Sequence, residues 1–212
     1  MLRLKTFVVG YYQTNCYVIN DDSTDKGIVI DPGDGVGAIK EYIALKKLDI
    51  VAILLTHGHF DHVLGVNELK ASCPNSKVYY HKEAEKMLLN DKKKYQVLNL
   101  EFDNIEADFY VKDGDKLELA NMGIEVMYTP GHSDGSVCYI INNDYIFCGD
   151  VIFRNSYGAT HFYGGNLALL TQSIKKLFDL EGDKILYCGH MESTTLDYER
   201  KNNPINEFLK NE

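Results

Sequence analysis

Four side chains that commonly bind metal ions lie close together in the segment Thr56-His57-Gly58-His59-Phe60-Asp61-His62. The segment follows a continuous apolar run, residues 50–55, which predicts a buried strand. If that strand continues through His59, side-chain alternation places His57 and His59 on the same side. Asp61 and His62 would then turn away into a following helix. The spacing therefore predicts that one segment supplies ligands to two adjacent metal ions.

The ligand types restrict the metal. Imidazole and carboxylate groups together suit zinc, manganese or iron, and a catalytic site keeps one coordination position open for water. We expect two divalent metal ions, with zinc as the first choice and iron or manganese as alternatives. The competing interpretation is a polar surface loop, which the density of ligand types in this segment disfavours.

The segment also resembles the THxHxDH signature of the metallo-β-lactamase superfamily. Further segments that resemble motifs of this family follow in its order, and these are Ile30-Asp31-Pro32-Gly33, Thr129-Pro130-Gly131-His132-Ser133, Phe147-Cys148-Gly149-Asp150 and Cys188-Gly189-His190. The resemblance implies a mixed α/β (α+β) fold, a four-layer αββα sandwich in which residues 1–212 form a single domain.

Carried over position by position, the resemblance also implies a set of metal ligands. The first metal would be held by His57, His59 and His132, the second by Asp61, His62 and His190, and Asp150 would bridge them. Metals about 3.5 to 4 Å apart can share one water and lower its pKa from that of bulk water to about 7. Such a site would generate hydroxide at neutral pH without a separate strong base.

Two aspartates have expected roles beyond simple ligation. Asp61 is the candidate catalytic residue, because it could orient the hydroxide and then pass a proton to the leaving group. Asp31 is expected to support a ligand histidine or a loop, since metal-bound imidazoles usually donate their other N–H to such groups. His81 follows a short predicted strand and is expected to pack or to cap a helix.

The segment from Gly158 to Gly165 is the candidate substrate-binding segment. In hydrolases that resemble glyoxalase II, a basic residue and a tyrosine here often meet the thiol part of the substrate, which suggests Tyr163 and His161. Related short members often carry Gly-Arg-Thr-Asp where this chain has Gly-Ala-Thr-His. This departure leaves the thiol carrier open.

The length, Asp61 and the C-terminal segment most resemble short hydrolases of the glyoxalase II group. The resemblance implies hydrolysis of S-acyl thiols such as S-D-lactoylglutathione, with hydroxide attacking the thioester carbonyl and metal charge stabilising the oxyanion. A persulfide dioxygenase with one iron and a lactonase are alternatives. A tRNA-processing nuclease, a secreted β-lactamase and a metal-binding protein without catalysis are less favoured.

Composition narrows the partners and the location. The net charge of −9 disfavours nucleic acid, whose phosphates require clustered Lys and Arg, so a small-molecule substrate is expected. No secretory signal pattern and no apolar run long enough to span a membrane is evident, which predicts a cytoplasmic protein. Five irregularly spaced cysteines predict small core residues rather than disulfides. The oligomeric state is left open.

The predicted elements would place the ligands at strand ends. Periodicity predicts strands over residues 5–9, 16–20, 27–31, 50–55, 77–80, 109–111, 116–119, 124–128, 137–141, 145–148 and 184–187. It predicts helices over residues 36–48, 63–71, 82–90 and 167–178, with helical turns near Leu196 and over residues 205–210. Asn142-Asn143 is typical of a hairpin turn. Residues 91–107 are polar and poorly periodic, which predicts a mobile loop or lid.

Overall fold

The computed structural model describes residues 1–97 and 104–210, and they fold into two stacked sheets flanked by helices. In the first half the strands are β1 (Leu2–Val9), β2 (Thr14–Asp21), β3 (Lys26–Ile30), β4 (Asp49–Leu54), β5 (Lys77–His81) and β6 (Phe109–Val111). The helices of this half are α1 (Gly37–Lys46), α2 (Phe60–Val63), α3 (Val66–Ser72) and α4 (Ala84–Val97). The strands form one sheet in chain order, antiparallel from β1 to β3 and parallel from β3 to β6.

The second half builds the facing sheet. Its strands are β7 (Lys116–Leu119), β8 (Met122–Tyr128), β9 (Val137–Ile141), β10 (Tyr145–Gly149), β11 (Ile152–Phe153), β12 (Ser156–Tyr157), β13 (Ile185–Cys188) and β14 (Thr194–Thr195). Its helices are α5 (Leu167–Phe178), α6 (Leu196–Asn202) and α7 (Asn206–Leu209). The sheet order is β14-β13-β10-β9-β8-β7, with β10 and β13 parallel, while β11 and β12 form a separate ribbon.

Three apolar layers separate the helices and sheets. Strand alternation divides β9, for example, so that Tyr139 faces the other sheet while Cys138 and Ile140 face helix α5. In the same way, Val18 of β2 packs against the helices of the first half, and Tyr17 packs between the sheets. The resulting order of layers is helix, sheet, sheet, helix, which confirms the predicted αββα sandwich and its single domain.

The strand predicted over residues 50–55 agrees with β4 within one residue, but its possible continuation through His59 is absent and one predicted helix is divided. Strand β4 ends at Leu54 and does not continue through His59, because the Thr56 N–H bonds to Asp31 and the Thr56 carbonyl accepts from Val137 of the other sheet. The helix predicted over residues 63–71 is divided between α2 and α3. At the break, a Cβ on Gly65 would lie 2.3 Å from the Gly33 oxygen, so only glycine permits this approach.

The proposed lid was also wrong in part. Helix α4 continues to Val97 through the first residues of the 91–107 segment, and residues 98–103 of that segment lie outside the described residues. The Asn142-Asn143 turn is confirmed, since both residues have positive φ, as a tight hairpin turn requires. All five cysteines are free and buried, as expected for core residues. Within the described ranges, no helix is long and apolar enough to cross a membrane.

Candidate metal centre

The side chains predicted to bind metal converge at one edge of the stacked sheets. His57 and His59 follow β4, Asp61 and His62 lie in α2, and the remaining three come directly after strands of the second sheet: His132 after β8, Asp150 after β10 and His190 after β13. Loops at the carboxyl ends of neighbouring parallel strands meet at the same edge, which is where such folds place their ligands. Segments far apart in the chain therefore supply one centre.

The first group consists of His57, His59 and His132, whose ligand atoms all lie within 4.8 Å of one another. The His132 Nε2 and His59 Nδ1 atoms are 2.8 Å apart. The His57 ring lies 4.8 Å from the His59 ring and 4.9 Å from the His132 ring, between centroids. Three imidazole nitrogens that converge in this way match the protein ligands of a tetrahedral catalytic zinc site.

The second group consists of Asp61, His62 and His190, which satisfies the same distance limit. The His190 Nε2 lies 3.3 Å from Asp61 Oδ2 and 3.3 Å from His62 Nε2. The Thr14 hydroxyl donates a 2.9 Å hydrogen bond to the same Asp61 oxygen and so fixes that carboxylate. Two imidazoles and one carboxylate can bind a second divalent cation.

Asp150 lies between the two groups. Its Oδ2 is 3.6 Å from His132 Nε2 of the first group and 3.4 Å from His190 Nε2 of the second. Its Oδ1 is 3.4 Å from His62 Nε2. A Cβ on Gly189 would lie 2.1 Å from Asp150 Oδ1, so glycine at this position makes room for the carboxylate. Asp150 is therefore placed to bridge two cations.

Hydrogen bonds on the outer side of the rings assign which nitrogen of each histidine faces the centre. His132 Nδ1 donates to the Ala159 carbonyl at 2.8 Å, and His190 Nδ1 donates to the Tyr12 carbonyl at 3.1 Å. His62 Nδ1 donates to Asp31 Oδ2 at 3.0 Å. In each case the proton on Nδ1 leaves the Nε2 lone pair free for a metal.

Asp31 orients the remaining buried histidine through Thr56. The Thr56 hydroxyl donates to Asp31 Oδ2 at 2.6 Å, so the same hydroxyl accepts from His57 Nδ1 at 3.0 Å. His57 Nε2 then faces the centre, and within the described structure this buried atom has no hydrogen-bond partner, as is true of Asp150 Oδ1. Buried polar atoms of this kind are normally bonded, so the two atoms fit a metal ion. The expected supporting role of Asp31 is confirmed by these contacts.

Electrostatics divide the histidines into two kinds. Burial lowers the pKa of His57 well below its ordinary value and the pKa of His59 to about 3, so both rings are neutral and able to ligate. Burial also lowers the pKa of His190, but hydrogen bonds to Asp150 and Asp61 outweigh it and raise that pKa to about 10. Two partly buried carboxylates thus draw positive charge to this position, and a divalent cation would supply it.

A cavity of about 250 Å³ opens above the centre. It is lined by five of the predicted ligands together with Tyr12, Phe60, Asp91 and Phe162. Asp91 Oδ2 accepts a hydrogen bond from the Phe60 N–H. The cavity is small beside typical ligand pockets of about 300 to 1,000 Å³, which indicates that the reacting part of a substrate is compact.

The predicted substrate-binding residues lie at the rim and not in the cavity. His161 and Tyr163 are exposed, whereas Phe162 between them lines the cavity, and the His161 ring packs on Phe162 with centroids 4.1 Å apart. Their roles stay predictions. His81 stacks on Tyr128 at 4.3 Å and accepts from the Glu83 N–H, in agreement with packing and capping.

Sequence reasoning missed the residues that hold the final loop. The Tyr17 hydroxyl and the Asn15 amide both donate to the Cys188 carbonyl, at 2.5 and 3.0 Å, and Asn15 also donates to the Met191 carbonyl. These bonds fix the turn that carries His190. The only signal in the sequence was a pair of polar residues, Thr14 and Asn15, at the start of an apolar strand.

A centre of histidines and aspartates below an open cavity, at one edge of an αββα sandwich, defines a class of metal-dependent hydrolases. The chain belongs to the metallo-β-lactamase superfamily, whose family model matches residues 9–190. A hydroxyacylglutathione hydrolase, GloC of Haemophilus influenzae, is 31% identical over 96% of this chain and 98% of its own length.

Two solved structures are also similar. The BLEG-1 B3 metallo-β-lactamase superposes with a TM-score of 0.86 and 32% identity over 96% of this chain and 98% of its own. The protein TTHA1623 in a di-iron-bound form superposes with a TM-score of 0.84 and 28% identity over 94% of this chain and 98% of its own. The similar proteins therefore differ in substrate and include one that holds two iron ions.

Proposed function

We propose that this chain is a binuclear metal-dependent hydrolase of thioesters, acting on small S-acyl thiols of the S-D-lactoylglutathione type. The main support for the proposal is that two complete ligand groups lie side by side beneath one small cavity, with Asp150 between them. The similarity to a hydroxyacylglutathione hydrolase over nearly the full length supports it. We keep His57, His59, Asp61, His62, His132, Asp150 and His190 as the proposed ligands.

Bound divalent cations would supply a water of lowered pKa and positive charge opposite a developing oxyanion. Asp61 is held by Thr14 and His190 at the rim of the cavity, where it can accept a hydrogen bond from that water. Burial alone would raise the pKa of Asp61, but His62, His190 and Thr14 together lower it to about 2. An ionised carboxylate in this position accepts hydrogen bonds, so we assign Asp61 to orienting the water.

The side chains that line the cavity favour a thioester substrate over an amide substrate. Apart from the ligands, the described residues that line the cavity are aromatic side chains and Asp91, which accepts the Phe60 N–H. A thiol of pKa about 8.5 can leave as a thiolate without a strong general acid, whereas an amine leaving group requires protonation. The lining thus suits a substrate whose leaving group needs little help from the protein.

The alternatives predict different metals and products. A persulfide dioxygenase would need one iron, and the complete group of Asp61, His62 and His190 argues for a second ion. A lactonase would use the same centre on a cyclic ester. We propose zinc, with iron or manganese as alternatives, because the ligand set accepts all three. The five buried free cysteines support a reducing compartment, and we propose the cytoplasm.

The test is hydrolysis of S-D-lactoylglutathione by metal-loaded protein, followed as free thiol release, beside oxygen uptake on glutathione persulfide. We expect thiol release without oxygen uptake, and loss of the activity after chelation. The Asp150→Ala variant should lose the activity as well. Oxygen uptake by a one-iron protein would move the chain to the dioxygenases, and β-lactam hydrolysis without thioester hydrolysis would reject the proposal.

A further inference from the structure

Aromatic side chains surround the entrance to the metal centre. Tyr11 and Tyr12 lie in the turn between β1 and β2 and are 92% and 57% exposed. Phe162, which lines the same cavity as Tyr12, is 48% exposed. The Tyr12 ring packs on the rings of Tyr11 and Phe60, with centroids 5.4 and 5.2 Å apart. The centroids of the Phe162 and His59 rings are 5.7 Å apart. We call Tyr11, Tyr12, Phe60 and Phe162 the aromatic mouth. Clustered exposed apolar groups beside a site indicate a binding surface.

The charges at this entrance are acidic. A second cavity of about 130 Å³ adjoins the one above the centre and shares Tyr12, Phe60 and Asp61 with it. Asp34 lines the second cavity and is exposed, and Asp91 lines the first. Among the residues that the structure describes, neither lysine nor arginine lines either cavity.

Two basic side chains of the described residues, Lys86 and Arg154, are engaged with acids. Lys86 forms a close ion pair with Glu83. Arg154 pairs with Glu192 at 3.3 Å and packs over the Tyr198 ring. A carboxylate on a substrate would have to compete with these acids for either cation.

We infer that the aromatic mouth selects thioesters whose thiol carrier is uncharged or cationic over those whose carrier bears carboxylates, glutathione included. The inference rests on the proposed thioester hydrolysis and names the carrier for it. Aromatic faces attract a cation and shield apolar carrier atoms from water. Asp34 repels a carboxylate at the same place, and no lysine or arginine among the described lining residues offsets that repulsion at the mouth.

The experiment compares three lactoyl thioesters that differ only in the carrier: N-acetylcysteamine (neutral), thiocholine (cationic) and glutathione (anionic). At about pH 8, above the ordinary histidine range, we expect kcat/KM for the glutathione ester to be about fivefold or more below that for the neutral ester. Added salt should raise kcat/KM for the anionic ester and lower it for the cationic one, because it screens both interactions.

Two variants assign the effect to residues. Asp34→Asn should raise the ratio of kcat/KM for the glutathione ester to that for the thiocholine ester, since it removes one negative charge. Phe162→Leu keeps an apolar side chain but removes the ring, so it should reduce the rate with the thiocholine ester more than with the neutral ester. Glu125→Gln is the control, because Glu125 is an exposed acid on β8 that lines neither cavity.

The outcomes separate this inference from the proposed function. Hydrolysis of none of the three esters would reject the thioesterase itself. Two results would overturn the carrier assignment while the thioesterase stands. One is a higher kcat/KM for the glutathione ester than for the other two esters. The other is a glutathione-to-thiocholine ratio of kcat/KM that is the same in Asp34→Asn as in Glu125→Gln. Preference for the neutral or cationic ester, with the expected response to Asp34→Asn, would support both.

Discussion

Asp31 offers a sharp test of how the centre is held, because one carboxylate orients two ligand histidines. Its Oδ2 accepts from His62 Nδ1 at 3.0 Å and from the Thr56 hydroxyl at 2.6 Å, and that hydroxyl accepts from His57. The Asp31→Asn substitution keeps the side-chain shape and suits the left-handed backbone, whose φ is +50°. It replaces one acceptor oxygen by an NH₂ donor. That group faces His62 Nδ1 and the Thr56 hydroxyl if it takes the Oδ2 position, or the Thr56 N–H if it takes the Oδ1 position, so either orientation breaks a contact that positions the ligand histidines.

Loss of such an outer partner typically lowers metal affinity by about 10- to 100-fold. In free energy this is about 1.4 to 2.7 kcal/mol. The assay is competition with a chromophoric chelator, with circular dichroism as the check that the variant is folded. Asp108→Asn is the matched control, because Asp108 also accepts a backbone N–H, from Val78 at 2.9 Å, and pairs with Lys70 away from the centre.

A metal affinity of Asp31→Asn within about threefold of that of the control would refute the reasoning, because the Asp31 carboxylate would then not contribute to metal binding. The Thr56→Val variant refines the result. It breaks only the relay to His57, so it should weaken the first metal position and spare the second. If Thr56→Val lowers the metal affinity of both positions to the same extent, the two ligand groups do not bind their metals independently.

Three further outcomes are expected. Glu199 is fully buried and accepts hydrogen bonds from Thr194, Asn155 and Asn203. Glu199→Ala should therefore lower the free energy of unfolding, measured in urea, by about 3 kcal/mol or more. A decrease of less than about 1 kcal/mol would contradict this. Gly189→Ala places a Cβ against Asp150 and should abolish metal binding in a folded protein, whereas Gly37→Ala, where a Cβ meets nothing within 4 Å, should bind metal normally. His161→Ala should raise KM for the thioester with little change in kcat if the ring touches the carrier, and an unchanged KM would assign it to packing on Phe162.

The convergence of the proposed ligands could be predicted because their residue types are chemically specific. Histidine and aspartate at the spacing of residues 57–62 have few uses other than metal binding, and the order of the motifs indicated the distant residues that the fold brings to the same place. The strands were predictable for a different reason. Runs such as residues 137–141 are apolar on both faces, as a strand between two packed layers must be.

The unpredicted features depend on contacts between distant segments. Asn15 and Tyr17 hold the loop of His190 from the other sheet, and neither residue type signals this partner. The end of β4 is set by Asp31 and Val137, which replace its ladder partners at Thr56. The short strands β11, β12 and β14 contain two residues each, too few for a periodic pattern. Phe162 lines the cavity, but an aromatic residue in a loop carries no sequence signal for that position.

The most direct test of the central claim is the metal content of the purified protein and of its Asp150→Ala variant, measured after dialysis against metal-free buffer. A binuclear centre bridged by Asp150 predicts about two divalent ions per chain in the wild-type protein and less than about one in the variant. One ion per chain that persists unchanged in Asp150→Ala would contradict the bridged pair of metal sites on which the proposed chemistry depends.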